Sequence, residues 1–195
     1  MEPFRVHTGR ALPLGLPDVD TDQIMPARYL KRIERTGFGE FLFADRRKEP
    51  GFPLDDPRYR GATILIAGAN FGCGSSREHA VWGIAQAGFR ALVAPSFADI
   101  FRGNCLRNGL LPVALPGETV ERLLEAVRAD PALELTVDLE AREVRGAGLV
   151  APFGIEEDAR RRLLEGLDDV SITLRHEAEI AAYERRRPAW MPSLA

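Results

Sequence analysis

Three short apolar runs alternate with two helix-patterned stretches, and that alternation constrains the fold before any single residue does. Residues 62–67, 90–94 and 111–115 are short and largely apolar, and they read as buried strands. Residues 76–87 and 97–108 carry apolar positions at helical spacing, with Phe97, Ile100, Phe101 and Cys105 on one face. Gly88 and Gly109 stand where helix C-termini favour glycine. The chain is therefore α/β. Further on, Val120, Leu123, Leu124 and Val127 form another helical stripe, stopped by Pro131. Leu133–Asp138 and Glu143–Arg145 suggest a hairpin pair, and Ile155, Ala159, Leu163 and Leu167 one more amphipathic helix. Residues 44–60, rich in Pro, Gly and charge, read as a surface excursion. With 195 residues, 45% of them hydrophobic, the chain suits one domain (1–195) with a sizeable core.

The loop joining the first of these strands to its helix carries the chemistry. It runs Gly68-Ala69-Asn70-Phe71-Gly72-Cys73-Gly74-Ser75-Ser76-Arg77-Glu78-His79-Ala80. Glycines let the backbone approach a ligand closely. The free N–H groups at a helix start favour an anion. Arg77 can grip a carboxylate with two parallel hydrogen bonds. A small carboxylic acid, with a serine beside its reacting carbon, fits such a loop. A plainer reading stands beside it: Ser75 and Glu78 form an S-x-x-E capping box, which serves helix stability alone in most cases.

Other chemistries are excluded. A phosphate-binding P-loop needs a lysine and a different glycine spacing. The dinucleotide fingerprint G-x-G-x-x-G fails because Arg77 stands at its third glycine. The hydrolase elbow G-x-S-x-G lacks its framing glycines. A net charge of −3 leaves no electrostatic footprint for nucleic acid. Arg160-Arg161-Arg162 sits among Glu156, Glu157, Asp158 and Glu165, as expected of a solvated helix face. No run of 18 or so apolar residues suggests a membrane span. The first residues lack a signal peptide's basic start and apolar core, and with two cysteines this argues for a reducing cytoplasm.

Gly72-Cys73-Gly74-Ser75-Ser76-Arg77-Glu78-His79 resembles the G-x-G-S-S-R-E-H signature of the swivelling domain of the aconitase superfamily. Asp18-Val19-Asp20-Thr21-Asp22-Gln23-Ile24-Met25-Pro26 resembles the D-T-D-x-I-I-P segment of its free-standing small subunits. Ala94-Pro95-Ser96-Phe97-Ala98-Asp99-Ile100-Phe101-Arg102-Gly103-Asn104 resembles their A-P-S-F-A-D-I-F-x-x-N stretch, and Leu110-Leu111-Pro112-Val113 and Ala181-Ala182-Tyr183-Glu184 fit as well. These motifs cover almost the whole chain in the family's order. They are most similar to the family of bacterial 3-isopropylmalate dehydratase small subunits.

That resemblance implies a swivelling β/β/α fold. It also implies a hydro-lyase of leucine biosynthesis that isomerises a small hydroxy-dicarboxylic acid by dehydration and rehydration. In the family the first signature serine is the base, here Ser75. Ser76 would bind the substrate, Arg77 its carboxylate, and Glu78 and His79 would stand behind them; a packing role for His79 is at least as plausible. The family's 4Fe–4S cluster belongs to a large subunit. This chain has only Cys73 and Cys105, thirty-two residues apart, so it cannot supply a cluster site by itself. No metal or cofactor is expected on it, and a large iron–sulfur subunit is expected as its partner. No nucleic-acid or membrane partner is expected.

Substrate choice is less legible. The family's recognition loop corresponds to residues 27–43, where Ile33, Phe38 or Leu42 would suit an isopropyl group. Arg28, Arg32 and Arg35 would suit a further carboxylate, and Arg28 is taken as a substrate-binding candidate. Asp20, Thr21 and Asp22 read as turn chemistry rather than catalysis. Citraconate/2-methylmalate or homoaconitate hydro-lyases remain alternatives, as does a non-catalytic partner subunit. Tyr183 and Trp190 would pack either at the partner interface or over the domain's own core.

Overall fold

The structure is a computed structural model that describes residues 1–188, 190 and 191. Seven strands form one mixed sheet: β1 (Val6–Pro13), β2 (Ile64–Ile66), β3 (Ala91–Ala94), β4 (Leu111–Ala114), β5 (Glu134–Asp138), β6 (Glu143–Gly146) and β7 (Leu149–Pro152). Their order is β4-β3-β2-β1-β5-β6-β7. The β4–β1 half is parallel and the β5–β7 half is an antiparallel meander. β1 is the seam. Its first half, Val6 to Arg10, pairs antiparallel with β5, and its second half, Ala11 to Pro13, pairs parallel with β2.

The three apolar runs are strands β2, β3 and β4. Parallel strands covered on both faces read as continuous apolar sequence, and Ile64, Leu65, Ile66, Ala91, Leu92 and Val93 are fully buried. β1 carries no such signal because its first half is polar and partly exposed. It is a strand that periodicity misses, as is β7.

The helices are α1 (Thr21–Ile24), α2 (Glu78–Gln86), α3 (Asp99–Arg107), α4 (Gly117–Ala129), α5 (Glu157–Glu165), α6 (Asp169–Leu174) and α7 (Glu177–Arg185). α4 lays its stripe Val120, Leu123, Leu124 and Val127 against β1, β2 and β3. Arg160, Arg161 and Arg162 of α5 make ion pairs with Glu157, Asp158 and Asp169 on the surface. The stretch 44–60 is a string of single 3-10 turns at 46–48, 53–55 and 57–59, with Phe52 and Tyr59 buried. Among the described residues, no helix is long and apolar enough to cross a membrane.

The topology dictates where chemistry collects. The loops after β1, β2 and β3 all leave the C-terminal ends of neighbouring parallel strands, where open α/β sheets bind ligands. Those three loops carry the three motifs picked out from sequence.

Candidate active site

The three loops are joined by backbone hydrogen bonds. On the first side, Gly72 N donates to Val19 O at 2.8 Å, Asp18 N to Ala69 O and Thr21 N to Cys73 O, both at 2.9 Å. On the other side, Phe71 N donates to Ser96 O at 3.1 Å and Ala98 N to Phe71 O at 3.0 Å. Side chains add to this: Asn70 Nδ2 donates to Asp18 Oδ1 at 2.8 Å, and Asn70 N donates to Ser96 Oγ at 2.9 Å. The signature loop is thus the middle strip of a three-loop platform.

Glycine is required at two points of that strip. Gly72 has φ +77°, and a Cβ there would lie 2.1 Å from Cγ of Phe101. Gly74 has φ +86°, which only glycine adopts without strain.

The resulting turn brings Ser75, Ser76 and Arg77 onto one cavity of about 260 Å³, whose walls also include Thr21, Ala98, Ile100 and Phe101. Ser75 and Ser76 are exposed, and neither hydroxyl has a hydrogen-bond partner among the described residues. α2 starts at Glu78 with extended Arg77 as its N-cap, and α3 starts at Asp99 with Ala98 as its N-cap. Neither start receives a side-chain cap, so two sets of first-turn N–H groups remain for an anion. The capping box read from Ser75 and Glu78 does not form. The chain is still extended at Arg77, which puts Ser75 outside the helix and in the cavity.

Arg77 is mostly buried, with 15% of its side chain exposed, and its Nη1 donates to Asp22 Oδ1. That hydrogen bond holds the Asp22 carboxyl below the usual carboxylate range, against a smaller opposing effect of burial. Thr21, 2% exposed, donates its hydroxyl proton to the carbonyl of Ser75 at 2.8 Å. Two residues of the D-T-D segment therefore touch the signature directly, a role that turn chemistry alone does not suggest.

Glu78 and His79 are not among the residues lining this cavity. Glu78 Oε1 accepts from Asn108 Nδ2 at 2.9 Å, and Asn108 Oδ1 accepts from Trp82 Nε1 at 3.0 Å. His79 packs against Phe38 and Trp82, with ring centroids 5.3 and 4.7 Å away.

Arg28 is not among the residues lining this cavity. Its guanidinium grips Asp45 through two bonds of 2.6 and 2.9 Å and lies over the Tyr29 ring. Arg32 lies over Phe41 and Arg35 over Trp82. Of the three apolar candidates in the same stretch, Phe38 and Leu42 are core residues, whereas Ile33 is 93% exposed. Tyr183 and Trp190 are exposed and do not cover the core.

A larger cavity of about 770 Å³ lies between residues 54–62 and the end of α2, but it holds none of the candidate residues. Its Arg47 is already paired with Asp55. Among the described residues, no group of three or more His, Cys, Asp or Glu side chains is arranged to hold a metal. Both cysteines are free. Burial pushes the Cys105 thiol well above its ordinary range, and burial together with Asp20 and Asp18 raises that of Cys73.

Comparison with known proteins identifies the family. Residues 1–118 match the aconitase C-terminal domain family, and residues 169–195 match the C-terminal domain of the 3-isopropylmalate dehydratase small subunit. The 3-isopropylmalate dehydratase small subunit of Frankia alni is 64% identical over 193 residues, covering 99% of both chains. That of Rubrobacter xylanophilus is 62% identical over 192 residues, covering 98% of both. The crystal structure of 3-isopropylmalate dehydratase (LeuD) from Methanocaldococcus jannaschii superposes with a TM-score of 0.65 at 26% identity, covering 91% of this chain and 99% of that one. The chain belongs to the family of 3-isopropylmalate dehydratase small subunits, built on an aconitase-type swivelling domain.

Proposed function

We propose that this chain is the serine- and arginine-bearing half of a 3-isopropylmalate dehydratase, interconverting 2- and 3-isopropylmalate in leucine biosynthesis. As a small subunit it works with a large subunit. One arrangement carries the reading: Ser75, Ser76 and Arg77 line a single cavity between two helix starts that lack side-chain caps.

Moving a hydroxyl between adjacent carbons by loss and return of water needs a base at the carbon beside a carboxylate. Ser75 Oγ takes that proton. A serine hydroxyl is a poor base, so its oxyanion form must be stabilised. The guanidinium of Arg77 and the free N–H groups of α2 and α3 supply fixed positive potential for this. Arg77 also receives a substrate carboxylate through the donors Asp22 leaves open, which sets the orientation of the carbon facing Ser75. Ser76, on the same wall, donates a hydrogen bond to the substrate. Water then adds to the carbon that lost its proton, and Ser75 gives its proton to the carbon that lost its hydroxyl, so the hydroxyl has moved by one carbon. A 4Fe–4S cluster held by the large subunit would supply the Lewis acid that takes up the departing hydroxyl. The reducing cytoplasm is the setting that suits two free cysteines.

The test is a dehydration assay that follows formation of the unsaturated acid from 3-isopropylmalate. The chain is mixed anaerobically with a cluster-loaded large subunit, and each protein is also assayed alone. Activity confined to the mixture, and lost with Ser75→Ala, supports the reading. Activity only on citraconate or homoaconitate moves the assignment to a related hydro-lyase. A verified complex that is inactive on all three substrates makes the chain a non-catalytic partner.

A further inference from the structure

We infer that the single helical turn α1 is the positioning element of the site, with Thr21 setting Ser75 and Asp22 setting Arg77. This rests on the catalytic reading above and adds two residues to it. The turn is itself rigidly held. Asp20 Oδ1 caps it by accepting from Gln23 N at 2.8 Å, and Ile24 and Met25 are fully buried in the core. Side chains that leave such a turn have little freedom.

Thr21 and Asp22 leave it toward two different groups of the signature. A buried hydroxyl must find a partner, and that of Thr21 is committed to the carbonyl of Ser75. Together with the bond from Thr21 N to Cys73 O, it fixes the peptide plane from which the Ser75 side chain projects. The Asp22–Arg77 contact has another character. Asp22 is 53% exposed, and pairs open to solvent contribute little to stability. Its effect is directional: one oxygen holds one guanidinium nitrogen, and the other N–H donors remain available. The pair holds Arg77 in the cavity wall ready for a carboxylate, so the substrate need not bear the cost of ordering a long side chain.

Two positioning residues on two different groups make separable predictions for the assembled enzyme on 3-isopropylmalate. Thr21→Val lowers kcat by about tenfold or more with KM within about twofold, and Thr21→Ser restores kcat. Asp22→Asn raises KM by about tenfold with kcat nearly unchanged. In the Asp22→Asn background, Arg77→Lys costs less than it does in the wild type, because the fork being lost is no longer oriented. Melting temperatures of each variant exclude simple unfolding. The inference is overturned if Asp22→Asn leaves KM unchanged, if Arg77→Lys costs the same in both backgrounds, or if Thr21→Ser fails to rescue. Crystal structures of the Thr21→Val and Asp22→Asn small subunits keep the question separate from the substrate assignment. An inactive wild-type complex would count against the substrate reading alone. Ser75 and Arg77 unmoved in both variants would overturn the positioning role even then.

Discussion

Asp22 and Arg77 stand 55 positions apart in the chain, yet the carboxylate of one holds the guanidinium of the other at the mouth of the candidate site. The contact exists because β1 and β2 are parallel neighbours, so the loops that leave them emerge side by side. Sheet topology, rather than local sequence, brings a carboxylate to the arginine of the signature loop.

Ser75→Ala should separate chemistry from stability. Ser75 is exposed, its hydroxyl bonds to no described residue, and it does not cap α2. Turnover is expected to fall by about 100-fold or more, while stability changes by only about 0.5 kcal/mol. Kinetics of the assembled enzyme test the first half, and a melting curve of the isolated chain tests the second. Near-normal turnover would remove the serine from the chemistry.

Arg77→Lys keeps the charge but loses the planar fork. The lysine can satisfy Asp22 or a substrate carboxylate as a point charge, but not both with paired bonds. KM is expected to rise by about tenfold, measured by steady-state kinetics. An unchanged KM would make Arg77 a structural partner of Asp22 alone.

Acid should act through the same pair, with a definite sign. The Asp22 carboxyl in the folded chain is held below its ordinary value of 3.8, chiefly by the hydrogen bond from Arg77. A depressed carboxylate adds stability that is fully present above the unfolded value and is lost as pH falls through the folded one. The stability difference between wild type and Asp22→Asn should therefore be flat above about pH 5 and shrink below 3.8. Urea titrations at a series of pH values measure it. A difference that changes between pH 6 and 8 would implicate another group.

The contrast between what sequence revealed and what it hid has physical causes. β2, β3 and β4 are legible because strands of a parallel sheet covered on both faces are apolar almost throughout. β1 was not, since Val6 to Arg10 lie on its partly exposed half beside β5. Ser75, Ser76 and Arg77 were legible because a glycine-rich strand-to-helix loop is a local feature. The placing of Thr21 and Asp22 was hidden because it depends on which strands are neighbours. The alternative capping box does not form, because Arg77 stays extended and the helix begins at Glu78, two residues beyond the start at 76 that a Ser75 cap requires. The partner of Arg28 was hidden because it too is non-local: the Arg28 guanidinium donates to Asp45, seventeen residues on, which Lys48 also contacts at 2.7 Å.

Gly72→Ala should damage the fold and the site together. The position has φ +77°, and an added methyl carbon would overlap the Phe101 ring, which is itself 2% exposed and packed edge-on against Phe71. Backbone strain and overpacking each cost about 1–3 kcal/mol. A loss of about 2 kcal/mol or more is expected by denaturant unfolding. A stable, fully active variant would mean that the loop and Phe101 yield more easily than their packing suggests.

The C-terminal helices should be dispensable for the stability of the core. α6 and α7 span six and nine residues, short for helices that must hold themselves together in water. Neither contains a buried residue, and Val170, Leu174 and Tyr183 are all more than half exposed. Their ties to the rest of the chain include exposed ion pairs, Arg162 with Asp169 and Arg175 with Glu165, which contribute little. The sheet and α4, by contrast, hold fully buried side chains from β1, β2, β3 and β5. Removing residues 169–195 is therefore expected to lower the stability of the isolated small subunit by only about 1 kcal/mol. A cooperative melt close to that of the full chain meets the expectation. A collapse of the truncated chain would mean that the core depends on these helices.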